Sequence, residues 1–411
     1  MRPGSGSGRA EIASLAMTPN PSPPPHSPGG DDTRPPLAGL VVADFSRVLA
    51  GPLATMMLAD LGAEVIKVER PGSGDDTRQW GPPWTEHASA YFESVNRSKS
   101  SVALDLTDPH DHAAALALAA RADILVENFL TGKLDALGLG YDELSARNPG
   151  LIYCSITGFG SGAGADLPGY DVVVQALGGL MSITGEADGD PMKSGVAVVD
   201  VLTGKDAVIA ILGAVVERSR SGLGQHVEVN LLSSLLGSLV NQATATLTTG
   251  TSPRRVGNHH PSIAPYEALR CSDGLLVVAC GNDLQFRKLT ATLGVPGLAE
   301  EGRFATNSSR VEHREELSAE LETALSANTV AQWAAALKGA GVPASPVNDI
   351  AGAISHAREL GLAPTVDVGP DHPLQIRHPI TWSRSTLRPA SPPPSLGEHT
   401  ESIRTDEGSR P

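Results

Sequence analysis

The chain has 411 residues, with 31 Lys+Arg against 46 Asp+Glu, for a formal charge of −15 at pH 7. That balance argues against a binder of the nucleic-acid backbone, though it leaves room for a local basic pocket holding one anionic ligand. Aromatic residues at 4% are too few for base-stacking platforms, while 40% apolar and 19% charged residues suit a chain with a large buried core.

Residues 1–35 are rich in Gly, Ser, Pro and Asp and bury too little to offset chain entropy, so a disordered tail is expected, with Met17 as a second possible start. The pattern then alternates. Strands are expected at Gly39–Phe45, Ala63–Glu69, Val102–Leu106, Ala122–Val126 and Leu151–Ile156. Helices are expected at Pro52–Gly62 and His112–Arg121. Apolar strands alternating with helices imply a parallel sheet covered on both faces, of α/β class with a Rossmann-like large domain. The dinucleotide fingerprint is missing after the first strand, where Ser46-Arg-Val-Leu-Ala-Gly-Pro52 stands instead.

Further on, helices are expected at Val172–Met181 and Asp200–Glu217, and His226-Val-Glu-Val229 reads as a strand running into another helix. From about Arg254 the style shifts to a smaller α+β unit, with a strand at Gly274–Cys280 and helices at Arg310–Leu325 and Thr329–Ala340. The resulting division is 1–35 tail, 36–225 large domain, 226–340 small domain, 341–400 a segment completing the large domain, and 401–411 tail.

Cys154, Cys271 and Cys280 are odd in number and form no C-x-x-C pair, so they read as small apolar residues. The longest apolar run, Ala207–Val216, is far short of the ~18 residues that suggest a membrane span. A cytoplasmic protein is the default expectation, and no secretory pattern is seen. His110, His112, His259 and His260 lack partners at ligand spacing, so no metal is expected. No nucleophile elbow occurs, and the glycines of 158–164 lack the end of a phosphate loop.

Asp200 follows Val196-Ala-Val-Val199 and opens a helix. It reads as an N-cap, or as a carboxylate kept ionised by the helix dipole and free N–H groups, able to attack a thioester. Asp171 likewise reads as a cap. Arg70 stands at a carboxyl end of the sheet, where open α/β folds bind ligands, and equally suits an ordinary surface arginine.

Several segments in this order resemble the class III coenzyme A transferases (CaiB/BaiF type), the family of formyl-CoA transferase and carnitine CoA-transferase. They are Pro36 to Pro52, Leu61 to Arg70, Pro71 to Asp75, Asn96 to Lys99 with Leu104 to Leu106, and Val126 to Phe129. Gly169 to Asp171, Gly195 to Asp200, Gly224 to Val229 and Leu396 to Thr400 follow. The resemblance spans roughly residues 36–400. It implies ring-shaped protomers threaded into an interlocked homodimer, with acyl-CoA and a carboxylic acid as substrates and no cofactor beyond coenzyme A as substrate. It also implies that Asp200 is the nucleophile, passing through an aspartyl anhydride and an aspartyl-CoA thioester. Val48, Leu49, Ala50 and Arg70 are implied CoA contacts. So are Leu104, Asp105, Leu106, Thr107, Asn128, Phe129 and Leu130, and Tyr170 with Asp171 would lie beside the active site.

The chain departs from formyl-CoA transferase at two positions. Leu49 replaces an active-site glutamine, which argues for a different acyl pair, and Leu177 and Met181 hint at an apolar acyl group. Ala136 replaces a CoA-binding arginine, so Arg97, Lys99 or Lys133 are the candidate phosphate partners. An acyl-CoA racemase of the same superfamily is a rival reading. It needs a histidine base where this chain has Tyr170, and an unperturbed phenol, with a pKa near ~10, is a poor base at pH 7. A CoA-binding paralogue without catalysis is the other rival.

Overall fold

A computed structural model describes residues 33–405. Most of the tail expected over 1–35, Met17, and the end of the 401–411 tail lie outside the described residues. Residues 34–405 belong to one compact unit.

Six strands form a parallel sheet: β1 (Val41–Asp44), β2 (Glu64–Glu69), β3 (Lys99–Ala103), β4 (Ile124–Glu127), β5 (Ile152–Thr157) and β6 (His226–Asn230). Their order is β3-β2-β1-β4-β5-β6, so the direction of winding reverses between β1 and β4. Val42 lies between Val65 on β2 and Ile124 on β4, which fixes the register at that reversal. Crevices beyond the carboxyl ends of strands at such a reversal are where open α/β sheets bind ligands.

One face of the sheet is covered by α1 (Ala50–Asp60) and a long helix, α4 (Val198–Ser221). Val42, Val65, Ile124 and Ile152 meet Ala54, Leu58, Ala207 and Ile211 in one core. On the opposite face, Ala43, Ile66 and Leu125 pack against Ala115 and Leu118 of α2 (Pro109–Arg121). The alternation along β1 thus feeds two cores, as expected for a strand buried on both sides.

Three sequence expectations need correction. β3 begins three residues earlier than expected, because its polar residues are satisfied by other parts of the chain. Ser101 Oγ donates to Glu69 (2.6 Å), while Ser101 N and Ala103 N donate to His399 Nδ1 and Thr400 Oγ1. The helix expected over 172–181 is broken at Gly178-Gly179 into α3 (Asp171–Leu177) and a single turn, Leu180–Ile183. Finally, the small unit starts later than 226. β6 pairs in parallel with β5, and α5 (Leu231–Ser238) shares the α4 core through Leu231 and Leu235.

The smaller unit is a three-stranded antiparallel sheet of β7 (Tyr266–Arg270), β8 (Leu275–Ala279) and β9 (Ala344–Pro346). β9 lies beyond residue 340, so the expected boundary there is also corrected. Phe286, Phe304, Leu317, Leu321 and Trp333 build its own core. Downstream, residues 391–404 return to the β3 edge. Ser98 N donates to Ser391 O, Gly397 N to Ser101 Oγ, and Arg404 to Asp111.

α1 and α4 cross closely at Gly204. A Cβ there would sit 2.7 Å from the Ala50 carbonyl oxygen. Gly204→Ala gains about 1 kcal/mol of helix propensity but forces apart two helices that meet beside the first strand–helix turn, at a cost of about 1–3 kcal/mol. Thermal unfolding should show a net loss for Gly204→Ala and a larger one for Gly204→Val. Equal or higher stability would contradict this packing.

Candidate active site

The turn after β1 carries Arg47, Val48 and Leu49. Val48 has φ 72°, a genuine outlier for a β-branched residue. Buried charges hold it there. Val48 N donates to both oxygens of Asp75 (3.3 and 3.2 Å), and Asp75 pairs with the fully buried Lys67 (2.9 Å), whose Nζ also donates to Ser46 O (2.7 Å). Lys67 holds the Asp75 carboxyl below its ordinary value despite burial, and Asp75 in turn raises the Lys67 ammonium. The turn after β4 is clamped to this one. Arg47 N donates to Asn128 Oδ1 (2.9 Å), and Asn128 Nδ2 donates to Arg47 O (2.7 Å). The buried Glu127 carboxyl, pushed up to about 7 by desolvation, accepts from Phe129 N (2.8 Å) and shapes the second turn.

Between these two turns, at the winding reversal, opens a cleft of about 240 Å³. Its lining includes Arg47 to Ala50, Asn128 to Thr131, Trp80, Tyr170 and Asp200. Gly158 and Gly169 press backbone to backbone, each ideal Cβ falling within 2.5 Å of the other's Cα. No side chain fits between them, and this approach brings Tyr170 to the end of β5. The glycine-rich stretch after β5 is therefore a cleft wall, contributing Gly158, Gly164 and Ala165.

Asp200 lies inside the first turn of α4 rather than at its cap; Ala197 holds the cap position without a side-chain bond. Both cap readings are corrected together, because the carboxylate that caps α4 is that of Asp171, the first residue of α3. Asp171 Oδ1 accepts from Val199 N (2.7 Å) and Asp200 N (3.2 Å). Its other oxygen accepts from Gln175 Nε2, and Gln175 Oε1 accepts from Ser194 N (2.8 Å), tying α3 to the loop before α4.

The Asp200 side chain itself accepts no hydrogen bond among the described residues. Burial and the neighbouring Asp171 charge push its carboxyl up to about 7, overriding the helix dipole. The expectation of a carboxylate fully ionised at pH 7 is therefore corrected to one poised at that pH. Tyr91, which packs edge-on against Trp80 with ring centroids 5.4 Å apart, is half-buried and also feels the charges of Asp200 and Asp171. Its phenol is pushed up to about 12 and stays a hydrogen-bond donor.

Not every expected site residue reaches this cleft. Arg70 lines a smaller adjoining recess with Phe129 and Arg47, and pairs with Asp76 (2.7 Å). Leu104 is buried in the second core, Leu106 packs beside it, and Asp105 accepts from Thr107 N and Oγ1, so this segment stands apart from the Asp200 cleft. Lys99 and Arg97 are corrections. Lys99 Nζ is buried on Asp44 (3.1 Å), Asn96 Oδ1 and Pro52 O, and Arg97 is buried on Asp60 (2.6 Å). Both are internal ties and present no charge to a phosphate. Lys133 is exposed, without an ion pair among the described residues. Leu177 and Met181 do not line the cleft, whereas Leu49 does.

Arg47, Trp80 and Tyr91 were missed by sequence reasoning. Arg47 stands next to the expected contact Val48, and that adjacency was the available signal. Trp80 ends a short 3-10 turn and Tyr91 lies in the single-turn helix Ala90–Glu93, both too short for periodicity to mark them.

The model of CoA-transferase family III matches residues 37–400. The chain belongs to this family. It is 42% identical over 388 residues to succinyl-CoA:glutarate CoA-transferase of Mus musculus, covering 92% of this chain and 88% of that one. It is 44% identical over 380 residues to succinate–glutarate CoA-transferase of Agrobacterium fabrum, covering 90% and 95%. A solved CaiB/BaiF family protein from Brucella suis is similar with a TM-score of 0.83 and 45% identity, covering 91% of this chain and 99% of that one. As a class III CoA-transferase the chain is an enzyme, and no helix among the described residues is long and apolar enough to cross a membrane.

Because the Asp200 carboxyl is raised from 3.8 to about 7, the native protein binds more protons than the unfolded chain across that window. Stability from this group is complete below the unfolded value and lost as pH rises through about 7. At about 1.4 kcal/mol per unit, Asp200→Asn should stabilise the enzyme at pH 8 by on the order of 2–4 kcal/mol and give no gain below pH 4. Denaturant titrations at the two pH values test this, and a destabilised variant at pH 8 would contradict the raised value.

Proposed function

We propose that the enzyme moves CoA between two carboxylic acids with Asp200 as nucleophile. The observation that carries this reading is a poised, desolvated carboxylate at the floor of the cleft between the two ligand-binding turns. One Asp200 oxygen attacks the thioester carbonyl of the donor and expels CoA thiolate, leaving a mixed anhydride. The thiolate then attacks the aspartyl carbonyl, forms an aspartyl-CoA thioester and releases the first acid, which departs with an oxygen from Asp200. The acceptor carboxylate attacks the aspartyl carbonyl of this thioester and expels CoA thiolate, giving a second anhydride. Returning thiolate attacks the acceptor carbonyl and frees Asp200. The thioester's free energy is kept throughout, so the cycle as proposed needs no ATP, metal or redox group.

The site suits this chemistry in three ways. Burial makes the carboxylate more basic and hence a better attacking group. The cleft walls of Leu49, Ile156 and Leu231 limit water around anhydrides that would hydrolyse. In this reading Val48, Leu49, Ala50, Asn128, Phe129 and Leu130, which line the cleft, would hold the thioester arm, with Arg70 and Lys133 the remaining candidates for its phosphates. Among the described residues, no histidine lines the cleft to serve as a racemase base. The relatives named above act between succinyl and glutarate groups, so dicarboxylic acids are the first substrate class to test here.

We further propose the interlocked homodimer of the family. Exposed Ile209 and Val216 on α4, with Val240 and Leu247 beyond α5, form an apolar surface that a second copy would cover. The three free cysteines suit a reducing, cytoplasmic compartment.

Incubation with donor and hydroxylamine should convert Asp200 to a hydroxamate, readable by peptide mass. Asp200→Ala should abolish both trapping and transfer while still binding CoA; a fully active variant would refute the assignment, and CoA binding without trapping in the wild type would favour a non-catalytic binder. A second outcome concerns pH. The acidic limb of kcat/KM should lie near 7 and move to lower pH in Asp171→Asn, which removes the neighbouring charge; a limb that stays in place would show that Asp171 does not tune the nucleophile.

A further inference from the structure

We propose that Arg47 anchors the distal carboxylate of a dicarboxylic substrate and thereby sets the enzyme's preference for dicarboxylic over monocarboxylic acids. The proposal rests on the transfer reading above and adds a specificity determinant to it.

Among the described residues lining the Asp200 cleft, Arg47 is the single lysine or arginine, and Asp76 and Asp200 are the carboxylates. A dicarboxylic acid brings one charge to the reacting end and a second that takes no part in the chemistry. Entering a cleft that already holds two carboxylates, that second charge is repelled unless a cation meets it. A monocarboxylic acid makes no such demand.

Arg47 is built to answer it. Its side chain is 44% exposed, and its pair with Asp76 is long, at 3.3 Å. Asp76 is also held by Arg70 at 2.7 Å, so Arg47 can turn to an incoming carboxylate without leaving Asp76 unpaired. The backbone of Arg47 is pinned by Asn128 on both its N–H and its C=O, and its guanidinium lies over the Phe129 ring at 5.7 Å. That leaves the partly exposed planar head as the part able to re-pair, with a donor fork matched to a carboxylate. Next to it, the Val48 backbone pinned on Asp75 fixes where the turn, and so the anchor, stands relative to Asp200.

The test uses the full-length enzyme with one common acyl-CoA donor. Acceptors are succinate and glutarate beside the length-matched monocarboxylates butyrate and valerate. In Arg47→Gln the ratio of kcat/KM for dicarboxylic over monocarboxylic acceptors should fall about 100-fold. Arg47→Lys keeps the charge without the fork and should fall between the two, which guards against a folding defect in the first variant. An equal loss for both acid classes, or a rise in the KM for the CoA thioester whatever the acid, would assign Arg47 to CoA instead and overturn the proposal. A wild-type enzyme that transfers only to monocarboxylic acids overturns the anchor and leaves the transfer reading intact; one that transfers to no acid overturns both.

Discussion

Two carboxylates at the mouth of one helix set the electrostatics of this cleft. Asp171 spends its hydrogen-bonding capacity on the amides of Val199 and Asp200 and on Gln175. The α4 amides that might have solvated Asp200 are thereby occupied, and the charge that occupies them repels a second negative charge beside it. Asp200 is left buried and unbonded, with a proton affinity near neutrality. The same constraint that costs stability at alkaline pH yields the basic carboxylate that the proposed attack on a thioester requires, a trade common at functional sites.

The rest of the large unit holds that carboxylate in one cleft with the turns after β1 and β4. The strained Val48 turn is held by Asp75, Asp75 by Lys67, and Asp44 beneath it by Lys99, Ser46 and Thr55. These charges are buried and mutually satisfied. Removing one partner of such a pair leaves an uncompensated charge, typically costing about 3–5 kcal/mol. Gly204 then lets α4 reach the Ala50 carbonyl, so the helix that carries Asp200 and the first turn are locked by contact.

Much of this was legible in the sequence. The strand–helix alternation from Val41 to Ile156 marks a doubly covered parallel sheet, since its apolar runs and helical periods have no other economical arrangement. Asp200 could be singled out by its position after Val196–Val199. Its environment could not, because its burial and the neighbouring Asp171, which both caps its helix and raises its proton affinity, arise only when a separate helix packs beside it. Lys99 and Arg97 misled for a related reason. A basic residue near a strand end looks like a phosphate partner until its buried acid, Asp44 or Asp60, is brought beside it by the fold. β6 reads as a strand from the sequence, but its pairing with β5, across the chain that forms α3 and α4, is a long-range contact that local pattern does not carry.

The central claim is that the Asp200 carboxyl exchanges an oxygen with each substrate acid. Turnover with an acceptor whose carboxylate carries heavy oxygen, followed by digestion and mass spectrometry, reads this directly. The peptide containing Asp200 should gain heavy oxygen during catalysis, and the acid released from the donor should carry it in later turnovers. Full transfer with that peptide unlabelled would contradict the account.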